Sequence, residues 1–126
     1  MEIQERALEF GVRIIKFVEK LPRTTAGNVV VKQLMRAGTS IGANLEEADG
    51  AASKKDFINK VVIARKEARE TRYWLKLIEK AELINNAGNK KELKELTQES
   101  YELMKITSAI INKAREKKVS YAEQKI

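Results

Sequence analysis

The chain has no cysteine and no histidine. Without thiols there can be neither disulfides nor thiolate metal sites. Without imidazole the commonest general base and the commonest metal ligand are missing. Proline occurs once, at Pro22, and glycine six times, so long uninterrupted helices are permitted. No apolar run approaches the ~18 residues of a membrane span; the longest are four-residue pieces such as VVIA, residues 61–64. The opening MEIQERALEF is charged and amphipathic, unlike the basic-then-apolar order of a secretory signal. A cytoplasmic location, with no membrane partner, is the expectation.

What is present fits a soluble globular chain. Charged residues make up 34% and hydrophobic ones 43%, a balance unlike that of disorder. At 126 residues the chain is one domain, long enough to bury roughly two-thirds of its unfolded surface. The net charge is +7 and unevenly spread. Residues 1–21 carry four charges of each sign, whereas 54–80 carry nine basic and four acidic residues and 113–126 carry five and two. Such a balance permits an anionic partner, although often it serves only solubility.

Apolar residues recur at steps of three and four in four successive segments, the signature of amphipathic helices. Ile3, Ala7, Phe10, Ile14, Phe17 and Leu21 form the first stripe; Pro22 and Gly27 bound the loop after it. Val30, Leu34, Ala37, Ile41, Leu45 and Ala48 form the second, ending near Gly50 and a capping Ser53. Phe57, Val61, Ala64, Ala68, Thr71, Leu75 and Ile78 form the third, before the turn NNAGNK. Leu93, Leu96, Ser100, Leu103, Ile106 and Ile110 form the fourth. The spacing predicts helices at about 2–21, 29–48, 54–84 and 89–118, with a C-terminal tail at 119–126 that frays or touches phosphate. An all-α, up-down-up-down antiparallel four-helix bundle over residues 1–118 follows.

Helix 1 has a second apolar row, Leu8, Gly11, Ile15 and Val18, and helix 3 adds Ile63, Trp74 and Leu77. Either the core faces are wide or these residues form a subunit interface.

The stretch QLMRAGTSIGANLEEADG, residues 33–50, carries unusual helix-weakening residues. Small residues let two backbones approach closely. Arg36, Ser40, Asn44 and Glu47 share one face, which predicts a polar seam: Arg36 pairs with Glu70 of helix 3 while Ser40 and Asn44 satisfy buried groups. The alternative is a carboxylate metal site built from Glu46, Glu47, Asp49, Glu67 and Glu70. Ferritin-like di-metal bundles need histidine, and no EF-hand loop is present. No nucleophile elbow or phosphate loop accompanies Ser40. The expectation is no metal, no cofactor and no enzyme.

On helix 3, Arg65, Arg69, Arg72 and Lys76 fall at steps of four, three and four, with Lys54 and Lys55 at the start of the helix and Tyr73 nearby. Such a row can contact several phosphates of a nucleic acid. It can also be a solvated face partly neutralised by Glu67, Glu70 and Glu79.

Gln33-Leu34, Arg36-Ala37, Ser40-Ile41, Ala43-Asn44-Leu45 and Glu47, then Phe57, Ile63-Ala64, Glu70 and Leu75, carry a further signal. In that order they resemble the four-helix-bundle proteins encoded by intervening sequences in bacterial 23S ribosomal RNA genes. Ala48 and Asp49 stand where many members have Glu-Gly directly, and Lys66 and Glu67 follow Ile63-Ala64 where many have Gly-Ser. The resemblance spans nearly the whole chain. It implies an up-down bundle assembling into a ring, with a pentamer as the expected state. A related accessory protein of diversity-generating retroelements shares that assembly and binds nucleic acid through a basic surface. The expected function is therefore non-catalytic binding of nucleic acid, with structured RNA as the expected ligand, by a homo-oligomer; the alternative is a protein–protein scaffold or accessory subunit without nucleic acid.

Overall fold

The computed structural model describes residues 2–125, with side chains described for 2–116. Four helices follow in order: α1 (Glu2–Val18), α2 (Thr25–Asp49), α3 (Lys54–Lys80) and α4 (Ala87–Lys125). Among the described residues there is no strand. α1 packs on α2, α2 on α3, α3 on α4 and α4 back on α1, so the helices close into a four-sided ring around one core. Neighbours run antiparallel. Arg6 meets Glu99 and Arg13 meets Glu92, while Arg65 meets Ser108 and Arg72 lies over Tyr101.

Local chemistry sets the helix ends. The Thr24 hydroxyl accepts from the Gly27 amide at 3.1 Å, so α2 begins at Thr25 rather than near 29. Gly27 therefore belongs to the first turn of α2 and not to the loop. A Cβ there would stand 1.9 Å from the Pro22 carbonyl oxygen, which accounts for the glycine. Ser53 caps α3 in the same way, accepting from Asp56 at 3.1 Å. Asn86 accepts from the amides of Gly88 and Asn89 where α4 starts, two residues earlier than the periodicity indicates. At the other end of α3, Glu82 adopts φ 54° and the Leu83 amide reaches back to the Ile78 carbonyl at 3.1 Å. This left-handed closure stops α3 at Lys80, short of residue 84. α1 likewise stops at Val18, short of 21, though Leu21 still folds into the core.

The core stripes of α1 and α2 lie where the spacing predicts, from Ile3 to Phe17 and from Val30 to Ala48. α3 differs at its start, where Ile58 is buried and Phe57 half-buried. α4 differs more. After Leu103 the buried positions are Thr107, Ile111 and Ala114, while Ile106 and Ile110 lie at the flank. Two steps of four replace the expected three-four alternation. The Thr107 hydroxyl donates to the Leu103 carbonyl at 2.7 Å, so this polar group enters the core already satisfied.

α2 meets α1 through small residues. A Cβ on Gly38 would lie 2.9 Å from Ile14 Cγ1, closer than two carbons can stand. Gly42 faces the Ala7 backbone and Gly11 faces Thr39, so the two backbones run close together. Glycine costs about 1 kcal/mol of helix propensity relative to alanine; here it admits Ile14, which is completely buried. α1 and α4 are joined at their exposed edge by ion pairs instead. Arg6 grips Glu99 with two hydrogen bonds of 2.6 and 2.8 Å, and Arg13 reaches Glu92 and Glu95 at 3.1 and 3.5 Å. The hydrogen bond to Glu99 holds the Arg6 guanidinium above its already high ordinary pKa.

The glycine contacts make opposite predictions for two similar changes. Gly38→Ala forces Ile14 to shift and lowers stability by about 1–3 kcal/mol. Gly11→Ala meets nothing nearer than 3.9 Å and is neutral or stabilising by up to about 1 kcal/mol. Urea unfolding reads both, and equal midpoints for Gly38→Ala and the parent chain contradict the close-approach account.

Candidate nucleic-acid interface

α3 turns one flank to α2 and the other to α4, and the two carry different chemistry. On the α2 side, Arg36 donates to Glu67 at 3.1 Å and also to Glu70. Glu67 is buried, with its side chain 10% exposed, whereas Arg36 is half-exposed. Glu70 also accepts from the Trp74 indole at 3.1 Å. One guanidinium thus fixes two carboxylates and, through the second, an indole.

The rest of the predicted seam behaves otherwise. The Ser40 hydroxyl donates to the Arg36 carbonyl at 2.6 Å and the Asn44 amide to the Ser40 carbonyl at 2.8 Å. Both bonds stay within α2, so neither residue bridges to α3. Their spacing of four places each donor over the preceding turn's carbonyl, which is the nearer acceptor. Glu47 is exposed and forms no ion pair among the described residues.

On the α4 side lies the basic row. Arg65 donates to the Ser108 hydroxyl at 3.4 Å, and the Arg72 guanidinium sits 5.1 Å from the Tyr101 ring centre. These two contacts splint the row against α4, while Arg69 and Lys76 project into solvent. Lys54 and Lys55 are exposed at the N-terminal end, where Lys54, Phe57, Ile110 and Lys113 line a shallow depression. None of Arg65, Arg69, Arg72 or Lys76 forms an ion pair among the described residues. Of the three acids that the sequence offers as neutralising partners, Glu67 and Glu70 lie on the opposite flank with Arg36, whereas Glu79 lies on the α4 side, in a depression shared with Lys91, Lys94 and Glu95.

α4 contributes groups that the reading of α3 alone missed. Lys105 also lies over Tyr101, at 5.0 Å, and pairs with Glu102 at 3.1 Å. The Lys105 hydrogen bond holds the Glu102 carboxyl below its ordinary range, with a second from Gln98 acting the same way. The available signal was Tyr101, Lys105 and Ser108 at steps of four and three on one face of α4. Any role of the tail, 119–126, lies outside the residues whose side chains are described.

The second apolar row of helix 1 divides. Gly11 and Val18 are buried; Leu8 and Ile15 are exposed, joined by Val12. With Gly42 and Ala43 they floor a groove of about 360 Å³ between α1 and α2, with Glu5 and Glu46 at its edge. On α3, Trp74 and Leu77 pack against the core while Ile63 stays exposed. Glu46 lines the α1 groove and Glu67 and Glu70 hold Arg36, so the acids of the carboxylate alternative are dispersed. Among the described residues no three acidic side chains are grouped as ligands for a metal ion. None of the helices, over the described residues, is long and apolar enough to cross a membrane.

These features define a class: an all-α protein of four helices packed in a ring of neighbours, bearing an ion-paired seam beside α2 and, beside α4, a cationic row without ion pairs among the described residues. Residues 1–109 match the family described as 23S rRNA-intervening sequence protein, and the chain belongs to that family. A solved structure from Bacteroides thetaiotaomicron, a protein of unknown function from the S23 ribosomal protein family, is 41% identical; the match covers 86% of this chain and 97% of that one, with a TM-score of 0.77. No curated protein matches the chain.

The Arg36 cluster yields a coupled prediction. Arg36→Leu strands the Glu67 carboxylate, costing about 1–3 kcal/mol once the half-exposed arginine's own solvation is discounted. It also shifts Trp74 fluorescence, because Glu70 loses its anchor. Adding Glu67→Gln removes the stranded charge and restores part of the loss. A double variant no more stable than Arg36→Leu alone contradicts this account.

Proposed function

We propose that this is a non-catalytic, self-associating protein that binds structured RNA, mainly through backbone and shape, along the α3 basic row. One observation carries the reading: four cations within three turns have no ion-pair partner among the described residues, and two of them are splinted against α4. Unpaired cations in register lose little by exchanging water for phosphate, and binding releases the counterions condensed on the nucleic acid. Membership of a family named for inserts in 23S rRNA genes agrees with RNA as the polyanion, and double-stranded RNA is read chiefly through its phosphates, hydroxyls and shape.

Self-association has a separate surface. In a four-sided ring the α1/α2 edge lies opposite the α3/α4 edge, so Leu8, Val12 and Ile15 can be covered by a second copy while the cations stay open. A ring, with five copies the expected number, then repeats the basic row around its outside. The alternative, a protein scaffold without nucleic acid, draws on the same α1/α2 groove and leaves the uncompensated row unexplained.

Reversing Arg65, Arg69, Arg72 and Lys76 to glutamate abolishes RNA binding at 0.1 M salt. The parent's affinity falls with salt at a log–log slope of roughly one per phosphate contact. Anisotropy titrations measure both; identical affinity for parent and variant excludes the reading. Separately, Leu8→Asp with Ile15→Asp reduces the assembly to monomers that keep the parent's helical content, as read by mass in solution and circular dichroism. A parent chain that is already monomeric excludes self-association.

A further inference from the structure

Resting on the RNA-binding reading, we infer that Tyr73 is a stacking platform for an unpaired base, so that the preferred ligand is RNA with an exposed loop or bulge rather than continuous duplex. Tyr73 is 58% exposed, second only to Leu8 among the large hydrophobic side chains of the described residues. It leaves α3 four residues after Arg69 and three before Lys76, the two members of the basic row that project into solvent. An aromatic ring thus stands between two free cations at the spacing of successive helical turns.

The ring is held from behind. Its neighbour Trp74 meets it edge to face, with centroids 5.1 Å apart and planes at 76°. Trp74 is in turn fixed by Glu70, and Glu70 by Arg36. A ring held in this way loses little freedom when a base lands on it.

Comparison with Tyr101 sharpens the assignment. That ring already carries Arg72 and Lys105, at 5.1 and 5.0 Å. Among the described residues no cation sits over Tyr73 and its hydroxyl has no hydrogen bond. Tyr101 is built into the splint, whereas Tyr73 is presented. Bases inside an A-form helix have no free face to offer, while loop and bulge bases do, and protein aromatics stack on them with little sequence preference. With Arg69 and Lys76 taking the flanking phosphates, the site suits one extruded nucleotide per protomer.

The test uses the full chain, a synthetic RNA hairpin with an unpaired loop, and a blunt, fully paired RNA duplex of equal length. Tyr73→Ala weakens hairpin binding about 10- to 100-fold and leaves duplex binding and the salt slope unchanged. Tyr73→Phe keeps the parent's affinity. A 2-aminopurine in the loop is quenched by the parent and by Tyr73→Phe, and not by Tyr73→Ala. Because most of the side chain is exposed, Tyr73→Ala gives up only its contact with Trp74 and stays folded, melting within a few degrees of the parent. If hairpin and duplex bind the parent equally and Tyr73→Ala alters neither, while Arg69→Glu with Lys76→Glu abolishes both, the stacking inference alone fails. If the parent binds neither RNA, the RNA-binding reading fails and takes this inference with it.

Discussion

Ile14 fills the space that a side chain at residue 38 would need, and through that contact α1 lies nearly backbone to backbone against α2. The rest of the bundle takes its proportions from this approach. α2 is thin on the α1 side, where Gly38 and Gly42 sit, and thick on the α3 side, where Arg36 spans to Glu67 and Glu70. α1 is therefore drawn close at the glycines, while α3 is tied to α2 at its edge by the arginine. The groove beside α1 follows: with glycines opposite them, Leu8, Val12 and Ile15 have too little side chain across the gap to cover them. The apolar strip is a by-product of the tight crossing before it is anything else.

Charge is arranged as economically as volume. The chain carries 18 acidic residues against 25 basic ones, a modest excess. The ion pairs remove acids selectively from the helices that display the cations. Glu67 and Glu70 of α3 turn towards Arg36, while Glu92, Glu95 and Glu99 of α4 turn towards Arg6 and Arg13. Glu102 stays near the basic row but is occupied by Lys105. What remains along Arg65, Arg69 and Arg72 is a potential stronger than the net charge implies, because Glu67 and Glu70 face the α2 seam, and Glu79 and Glu95 approach the α3/α4 face beyond that row, beside Lys91 and Lys94.

Most of the fold was legible because it rests on periodicity. α1 and α2 declare their buried faces through Ile3 to Phe17 and Val30 to Ala48, and the helix count follows from four such stripes. Ends were less legible, since they depend on single hydrogen bonds: Thr24 and Asn86 extend helices beyond their apolar pattern, and Glu82 ends one early. The α4 register was hidden because Thr107 reads as polar in sequence yet is buried with its hydroxyl bonded to Leu103. At the seam, Arg36 and Glu70 were readable from charge and spacing. Ser40 and Asn44 were not, because a short polar side chain can bond along its own helix as well as across to another. At the basic row, the cations of α3 were plain, but Ser108 and Tyr101 emerge only once α4 is laid beside them.

The Arg36 cluster acquires its meaning from both flanks of α3. A half-buried ion pair contributes little net stability compared with apolar packing, because desolvating Glu67 offsets much of the attraction. Its distinctive effect is geometric. Arg36 contacts Glu67 and Glu70, which are three residues apart, and so fixes the rotation of α3 about its axis as well as its height against α2. Rotating α3 by one residue, about 100°, would carry Arg65 and Arg72 away from Ser108 and Tyr101 and bring Glu70 towards the α4 side. The row without ion pairs therefore exists in the orientation that the buried stripe of α3, Val61 to Ile78, and the opposite flank impose together, and the buried charge supports the display of the exposed ones.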